Sequence, residues 1–286
     1  MTVPTAIGVQ GAHLYVVATP IGNLHDLSQR ASQVLADVDL VACEDTRHTQ
    51  KLLQHLGLRK SLLSLHDHNE RDRIDQIKAQ LAAGRSIALV SDAGTPLISD
   101  PGYVLVNALR QENFTVTPVP GPSALITALS VAGLPTNRFL FEGFLPHKAG
   151  GRRERLEVVV GETATLVFYE SKHRLLETLA IMQEVLGDRQ AVVAREITKT
   201  FEQFFSGSLS AIEQQISSHS DHQKGEFVIM VMGANEAKSQ IDLSTEKLFK
   251  RLLDELPPKK AAAIMSEFTG ENKKVLYQRA IAMADK

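Results

Sequence analysis

The chain has 286 residues, 43% of them apolar, and a formal net charge of −2. That is sequence enough for two domains with full cores, and it excludes a uniformly basic polyanion binder, so any contact with nucleic acid has to come from local patches. One cysteine, Cys43, allows neither an intrachain disulfide nor a thiolate zinc site, which fits a reducing cytoplasm, and aromatics at 5% with no Trp make base stacking a minor recognition device.

The opening residues read as no secretory signal, because they lack a basic leader and their apolar run is broken by Gly8, Gln10, Gly11 and His13. No uninterrupted apolar stretch approaches membrane-spanning length, so no membrane partner is expected. Leu14 to Ala18 (LYVVA) reads as a short buried strand that breaks at Thr19, Pro20, Gly22 and Asn23. Ser28 is placed to cap a helix running through Leu35. Val38 to Ala42 is the next strand, and it runs straight into Glu44, Asp45, Thr46 and Arg47. Two readings stay open: a helix N-terminus where Arg47 pairs with a carboxylate, or a polar cluster on a cleft with Arg47 for a phosphate and a carboxylate as proton acceptor.

Ser61 to Leu65 is a weak strand ending in His66-Asp67-His68-Asn69-Glu70. A metal site, a helix-capping turn and a substrate-contacting loop are all compatible with that run. An amphipathic helix bearing Ile74, Ile77 and Leu81 follows and ends at Gly84. Ile87 to Val90 then delivers Ser91, Asp92 and a bend containing Gly94, Pro96, Pro101 and Gly102, within the stretch VSDAGTPLISDPG. Two readings stay open for this stretch: a tight strand-to-helix turn with a capping Asp, or a ligand loop of the kind open α/β sheets present after a buried strand, where backbone groups can approach a bound molecule closely. Val104 to Leu109 is helical, Thr115 to Val119 a strand, and Pro120-Gly121-Pro122-Ser123 leads into an apolar helix from Ala124 to Ala132. Ser123 is equally a helix cap or a ligand donor. Three small-residue loops at successive strand ends point to a ligand site more strongly than one does, but no GxGxxG or GxxxxGK[ST] pattern occurs, which argues against a dinucleotide fold and a P-loop.

Asn137 to Phe144 carries the chain into a second α/β region. Pro146 to Arg155 reads as a loop with a Gly-Gly hinge and Lys148, Arg152, Arg153 and Arg155, either a solvated connector or a phosphate contact. Thr165 to Tyr169 is a strand ending in Glu170, Ser171, Lys172, His173 and Arg174; Ala191 to Ala194, Phe201 to Ser206 and Glu226 to Met232 are further strands, with a helix over Ser208 to Ile216. From Ile241 the chain becomes helical and lysine-rich, Pro257-Pro258 stops one helix, and two short helices flank Thr269-Gly270. That tail reads either as helix–turn–helix or as solvated basic faces. The expected division is 1–132, 133–240 and 241–286, an α/β protein with two α/β domains and a small C-terminal helical unit.

Taken in order, LYVVATPIGNL (14–24), EDTR (44–47), SLHDHNE (64–70), SDAGTPLISDPG (91–102), VPGPSA (119–124) and FYESKHR (168–174) resemble the tetrapyrrole methylase superfamily of class III methyltransferases, and more narrowly the ribosomal RNA small-subunit methyltransferase I family. TPIGNL stands where porphyrin-modifying members carry a GxGPGD-like loop, and His66-Asp67-His68 stands where a His-Glu-His version is expected. The resemblance implies S-adenosylmethionine held in a cleft between the two α/β domains, a homodimer, and methyl transfer to the ribose 2′-oxygen of a cytidine in small-subunit (16S) ribosomal RNA, free or in the assembled subunit. It implies cofactor contacts from Pro20, Asp92, Gly94, Thr95, Ser123 and Ala124 on one side and Phe168, Tyr169, Ala194, Gly225 and Glu226 on the other. The reacting ribose would then meet Glu44, Asp45, Arg47, His66 and Asn69, with Asp45 the leading base, and no metal is called for. Arg47, Lys148, Arg152, Arg153, Lys172 and Arg174 would hold RNA phosphates. A tetrapyrrole methyltransferase of the same fold and a non-catalytic RNA-binding assembly factor are the rival readings.

Overall fold

The computed structural model describes residues 8–9, 11–234 and 243–284; the expected boundary at 240/241 and most of the opening stretch lie outside the described residues. Two five-stranded sheets follow one another along the chain. The first consists of β1 (Leu14–Val17), β2 (Leu40–Cys43), β3 (Ser61–Ser64), β4 (Ile87–Val90) and β5 (Val116–Val119) in the order β3-β2-β4-β1-β5. All of its pairings are parallel. Parallel strands need crossovers, supplied here by α1 (Gln29–Asp37), α2 (Thr46–His55), α3 (Glu70–Ala82) and α4 (Tyr103–Gln111).

Side chains alternate across that sheet as its two-residue period requires. Ala88 and Val90 of β4 join Val34 and Leu35 of α1 and Leu52 and Leu53 of α2 in one core. Ile87 and Leu89 point the other way, into a core with Ile77 and Leu81 of α3 and Leu105 and Leu109 of α4. A strand buried on both faces has to be apolar throughout, which is why IALV carries no polar residue. Because β1 leads to β2 and β3 on one side and β4 leads to β5 on the other, the direction in which the connections wind reverses at the adjacent strands β1 and β4. The crevice at their carboxyl ends is therefore the topological switch point where such sheets bind ligands.

After α5 (Ala124–Val131) the second sheet comprises β6 (Phe139–Phe144), β7 (Thr165–Ser171), β8 (Gln190–Arg195), β9 (Gln203–Ser208) and β10 (Glu226–Val231) in the order β6-β7-β10-β8-β9. Only β6 and β7 run parallel, with a register shift between Phe141 and Gly143. One face packs Val167, Val192, Val228 and Met230 against Leu125, Ala128 and Leu129 of α5, together with Ile21 from the loop after β1. Helices α6 (Ala149–Val158), α7 (Leu175–Leu186) and α8 (Leu209–Ser217) complete this part. Residues 149–158 thus form a helix where the sequence reads as a basic loop. Leu156 is buried on it, and so is Arg152, so the charged run is one side of an anchored helix.

Residues 1–157 and 165–232 make one compact unit, and 158–164 with 233–286 make another. In the second, α9 (Leu243–Glu255), α10 (Pro258–Thr269) and α11 (Lys273–Ala284) close a small core of Phe249, Ala261, Ala262, Met265, Leu276 and Ala280. Pro258 begins α10 and left-handed Gly270 ends it, the arrangement proline and glycine favour at helix starts and stops. No helix among the described residues is long and apolar enough to cross a membrane.

Candidate active site

Hydrogen bonds tie the three small-residue loops together. Thr19 and Gly94 exchange N–H···O=C bonds of 2.8 and 3.0 Å, pairing the loop after β1 with the loop after β4. The Thr19 hydroxyl donates to Ser91 O at 3.2 Å, and the Thr95 hydroxyl donates to Pro122 O at 3.0 Å, adding the loop after β5. The loops thereby form one wall of a cavity of about 660 Å³. Its other wall comes from the second sheet: Tyr169 and Lys172 at the end of β7, Ile197 and Lys199 after β8, and Gly225 to Val228 entering β10. The Tyr169 hydroxyl accepts the Leu125 N–H at 3.1 Å, satisfying one of the unpaired donors at the start of α5. Its ring meets Phe141 and Phe144 edge-on, with centroids 4.9 and 5.6 Å away.

Carboxylates dominate the first wall. Glu44, Asp92 and Asp100 all line the cavity. Burial first, then the charges of Asp92, Asp100, Asp67 and Asp45, raise the Glu44 pKa above the usual carboxylate value. Asp100 is pushed up to about 6, chiefly by burial and then by Asp92 and Asp67, against a lowering influence of the Ser91 hydroxyl. On the second wall Lys199 bonds Glu196 and Glu226 at 2.9 Å each, and Glu196 also accepts the Glu226 N–H at 3.0 Å.

The candidate residues divide clearly. Asp92, Gly94, Thr95, Ser123, Ala124, Tyr169, Gly225, Glu226, Glu44 and Lys172 line the one cavity. Ser123 stands at the start of α5 without a side-chain capping bond, which leaves its hydroxyl to the cavity. Phe168 and Ala194 do not reach it: both are fully buried, Phe168 because its side chain points to the opposite sheet face from Tyr169, and Ala194 within the core under α5. Pro20 lines a smaller adjoining cavity of about 120 Å³ with His48, Lys51 and Asp92.

The Asp45–Arg47 pair is a helix cap. Asp45 Oδ1 accepts the Arg47 N–H at 2.8 Å while the guanidinium bonds both carboxylate oxygens at 3.1 and 2.7 Å. The Arg47 bonds hold the Asp45 pKa far below its ordinary value, which makes it a poor proton acceptor and corrects its place as leading base. Asn69 is committed to a turn, accepting the His66 N–H at 2.9 Å and donating to Ser64 O at 3.2 Å, and neither His66 nor Asn69 lines the large cavity.

Three of the basic candidates are also structural. Arg152 is 1% exposed, donates to His147 O at 2.8 Å and pairs with Glu177, so it cannot reach a phosphate. Arg174 bonds buried Glu170 at 2.9 and 3.0 Å. Stripping a partner from a buried charge costs about 3–5 kcal/mol, more than an exposed phosphate contact returns. Arg153 is tied to Glu184 at 2.6 Å. Lys148 and Lys172 are exposed and pair with no carboxylate among the described residues. No group of three His, Cys, Asp or Glu among the described residues is placed to hold a metal ion.

Residues 13–213 match the family model for tetrapyrrole (corrin/porphyrin) methylases, and residues 239–284 match the RsmI C-terminal HTH domain. A ribosomal RNA small subunit methyltransferase I of Pseudomonas aeruginosa is 52% identical over 271 residues, covering 94% of this chain and 96% of the relative. One of the same name from Escherichia coli O157:H7 is 49% identical, covering 94% of each chain. The chain belongs to the ribosomal RNA small subunit methyltransferase I family of tetrapyrrole methylases. Solved structures share its fold: the methyltransferase CobJ has a TM-score of 0.58 at 18% identity, covering 78% of this chain and 94% of its own. Diphthine synthase likewise has a TM-score of 0.58, at 15% identity, covering 77% and 89%.

For this methylase, sequence reasoning missed several wall residues. Asp100 lay inside a stretch already singled out, and its burial was the missing information. Lys199 follows β8 with no motif to mark it, and it lines the cavity from a turn in which Glu196 and Thr198 adopt left-handed backbone conformations with φ of 49° and 67°.

Proposed function

We propose that the chain transfers the methyl group of S-adenosylmethionine to the ribose 2′-oxygen of a cytidine in small-subunit (16S) ribosomal RNA. The observation that carries this reading is a cavity to which both sheets contribute, walled by small residues and backbone on one side and by the Tyr169 ring on the other. The residues suit the cofactor. Gly225 has φ +109° and a Cβ there would lie 2.5 Å from Glu196 Cγ, so the chain keeps that wall free of a side chain. Carboxylates on the facing wall complement a cationic sulfonium.

Asp92, Gly94, Thr95, Ser123 and Ala124 would hold the cofactor from the first sheet, and Tyr169, Gly225 and Glu226 from the second. When bound, S-adenosylmethionine supplies an already activated methyl group. The protein's task is to fix the ribose oxygen opposite it, exclude water and accept one proton. Exposed Lys148, Lys172 and Arg47 contribute phosphate contacts that orient the RNA without reading its sequence. The homologous HTH match over residues 239–284 supports a nucleic-acid role for the helical tail. A three-part division at 132/133 and 240/241, a homodimer and a cytoplasmic location complete the reading.

The test is incubation of purified protein with labelled S-adenosylmethionine and, separately, assembled small subunits, naked 16S RNA and a tetrapyrrole. Label on a ribose of the RNA supports the proposal, and label on the tetrapyrrole alone overturns it.

A further inference from the structure

We propose that Asp100 is the group that takes the proton from the ribose 2′-hydroxyl. This rests on the function proposed above and goes on to name the catalytic base.

The other carboxylates of the cavity have other duties. Asp92 accepts the Asp45 N–H, Glu170 is buried and bound by Arg174, Ser171 N–H and Thr178, and Glu196 and Glu226 hold Lys199. Glu44 and Asp100 remain. Asp100 is the better placed of the two, because it lines the cavity, feels the charge of Asp92 on the first wall, and is itself felt by the Tyr169 hydroxyl on the second. A group facing both walls faces the space between them.

The loop that carries Asp100 is held in an unusual shape. Leu97 and Ser99 both adopt left-handed conformations, with φ of 74° and 65°, which cost energy in any residue but glycine. Ser99 lies against Gly143 at the register shift in β6, where a Cβ would stand 3.0 Å from Ser99 Oγ. Gly143 itself has φ +65°. The irregular strand thus leaves room for the loop, and the loop aims a fixed carboxylate into the cavity from the first sheet while resting on the second. Fixed orientation is what a base needs to work in one geometry.

In the step, the hydroxyl proton passes to an Asp100 carboxylate oxygen as the ribose oxygen forms its bond to the methyl carbon. The carbon–sulfur bond breaks with its electron pair going to sulfur, which loses its positive charge and leaves as a thioether. Asp100 then returns its proton to solvent. Its surroundings set when it is ready: burial first, then Asp92 and Asp67, favour its protonated form, Glu44 lines the same wall, and Lys172, Lys199 and His173 line the cavity from the second sheet. The unprotonated base accumulates as the pH rises through about 6.

The experiment compares wild type, Asp100→Asn, Asp100→Glu and Glu44→Gln in single-turnover methylation of small subunits from pH 5 to 8.5. Cofactor and RNA affinities are measured alongside, and the carboxyl groups are followed by carbon NMR. We expect Asp100→Asn to lose about a hundredfold or more in rate. It should keep both affinities within about threefold, lose the rise near pH 6 and lose the carboxyl signal that titrates there; Asp100→Glu should recover part of the rate. An active wild type with an equally active Asp100→Asn overturns the inference alone, as does a pH 6 signal that disappears in Glu44→Gln instead. A wild type that binds the cofactor but methylates no ribose overturns the proposed function and this inference together.

Discussion

Asp92 Oδ1 accepts the backbone N–H of Asp45 at 3.1 Å, joining the carboxyl ends of β4 and β2. That bond brings Glu44-Asp45 beside Asp92, 47 residues from Asp45 in the chain, and gives each carboxylate a different task. Asp45 turns outward to cap α2 and hold Arg47, while Glu44 and Asp92 turn to the cavity. The burial and mutual repulsion that raise Glu44 and Asp100 follow from this crowding.

Gly225→Ala tests the second wall. The new methyl group would strike Glu196, which is held by Lys199 and by the Glu226 N–H, so the whole cluster has to move. We expect cofactor affinity, read by calorimetry, to fall about tenfold or more, equivalent to about 1.4 kcal/mol. Unchanged affinity would remove Gly225 from the cofactor site.

Tyr169→Phe removes the acceptor for the Leu125 N–H while keeping the ring and its edge contacts with Phe141 and Phe144. Leaving that donor unpaired costs about 1–3 kcal/mol. Thermal unfolding should shift down, and cofactor binding should weaken because α5 starts at the cavity edge.

Much of this arrangement was legible in the sequence, for reasons of pattern. Short continuous apolar runs mark the buried strands of the first sheet and period-3.6 spacing its helices, and Ser28 does cap α1, accepting the Ala31 N–H at 3.1 Å. The three loops announce themselves by glycine and proline. Residues 149–158 misled because the Gly-Gly pair looks like a hinge; the helix is anchored instead by Leu156 and the buried arginine, and tertiary burial outweighs local propensity. Which charges face the cavity was not legible, since Asp45 and Glu44 are adjacent in sequence and only the fold sends one outward and the other inward.

Arginine and lysine substitutions separate anchors from RNA contacts. Arg152→Met should lower thermal stability by about 1–3 kcal/mol through loss of its bond to His147 O, and leave the salt dependence of RNA binding unchanged. Lys172→Ala should preserve the fold and reduce the slope of log affinity against log salt by about 0.7–1. A reversed pattern would mean that Arg152 leaves its buried site to bind RNA.

Asp100 also links stability to pH. Its pKa rises from an ordinary 3.8 to about 6 in the folded protein, so the native state binds its proton more tightly than the unfolded chain does. Its favourable contribution is complete below pH 3.8 and is lost as pH climbs through 6. Asp100→Asn should therefore raise the unfolding temperature relative to wild type at pH 7.5, with the gain shrinking toward pH 4. Scanning calorimetry across that range measures it, and an equal shift at every pH would argue against a raised Asp100 pKa.

The most direct measurement is mapping of 2′-O-methyl groups in 16S RNA after small subunits lacking the modification are incubated with this protein and S-adenosylmethionine. We expect a new methyl group on the ribose oxygen of a cytidine, absent when the cofactor is omitted. Methylation confined to a base, or no methylation by protein shown to bind the cofactor, would contradict the assignment.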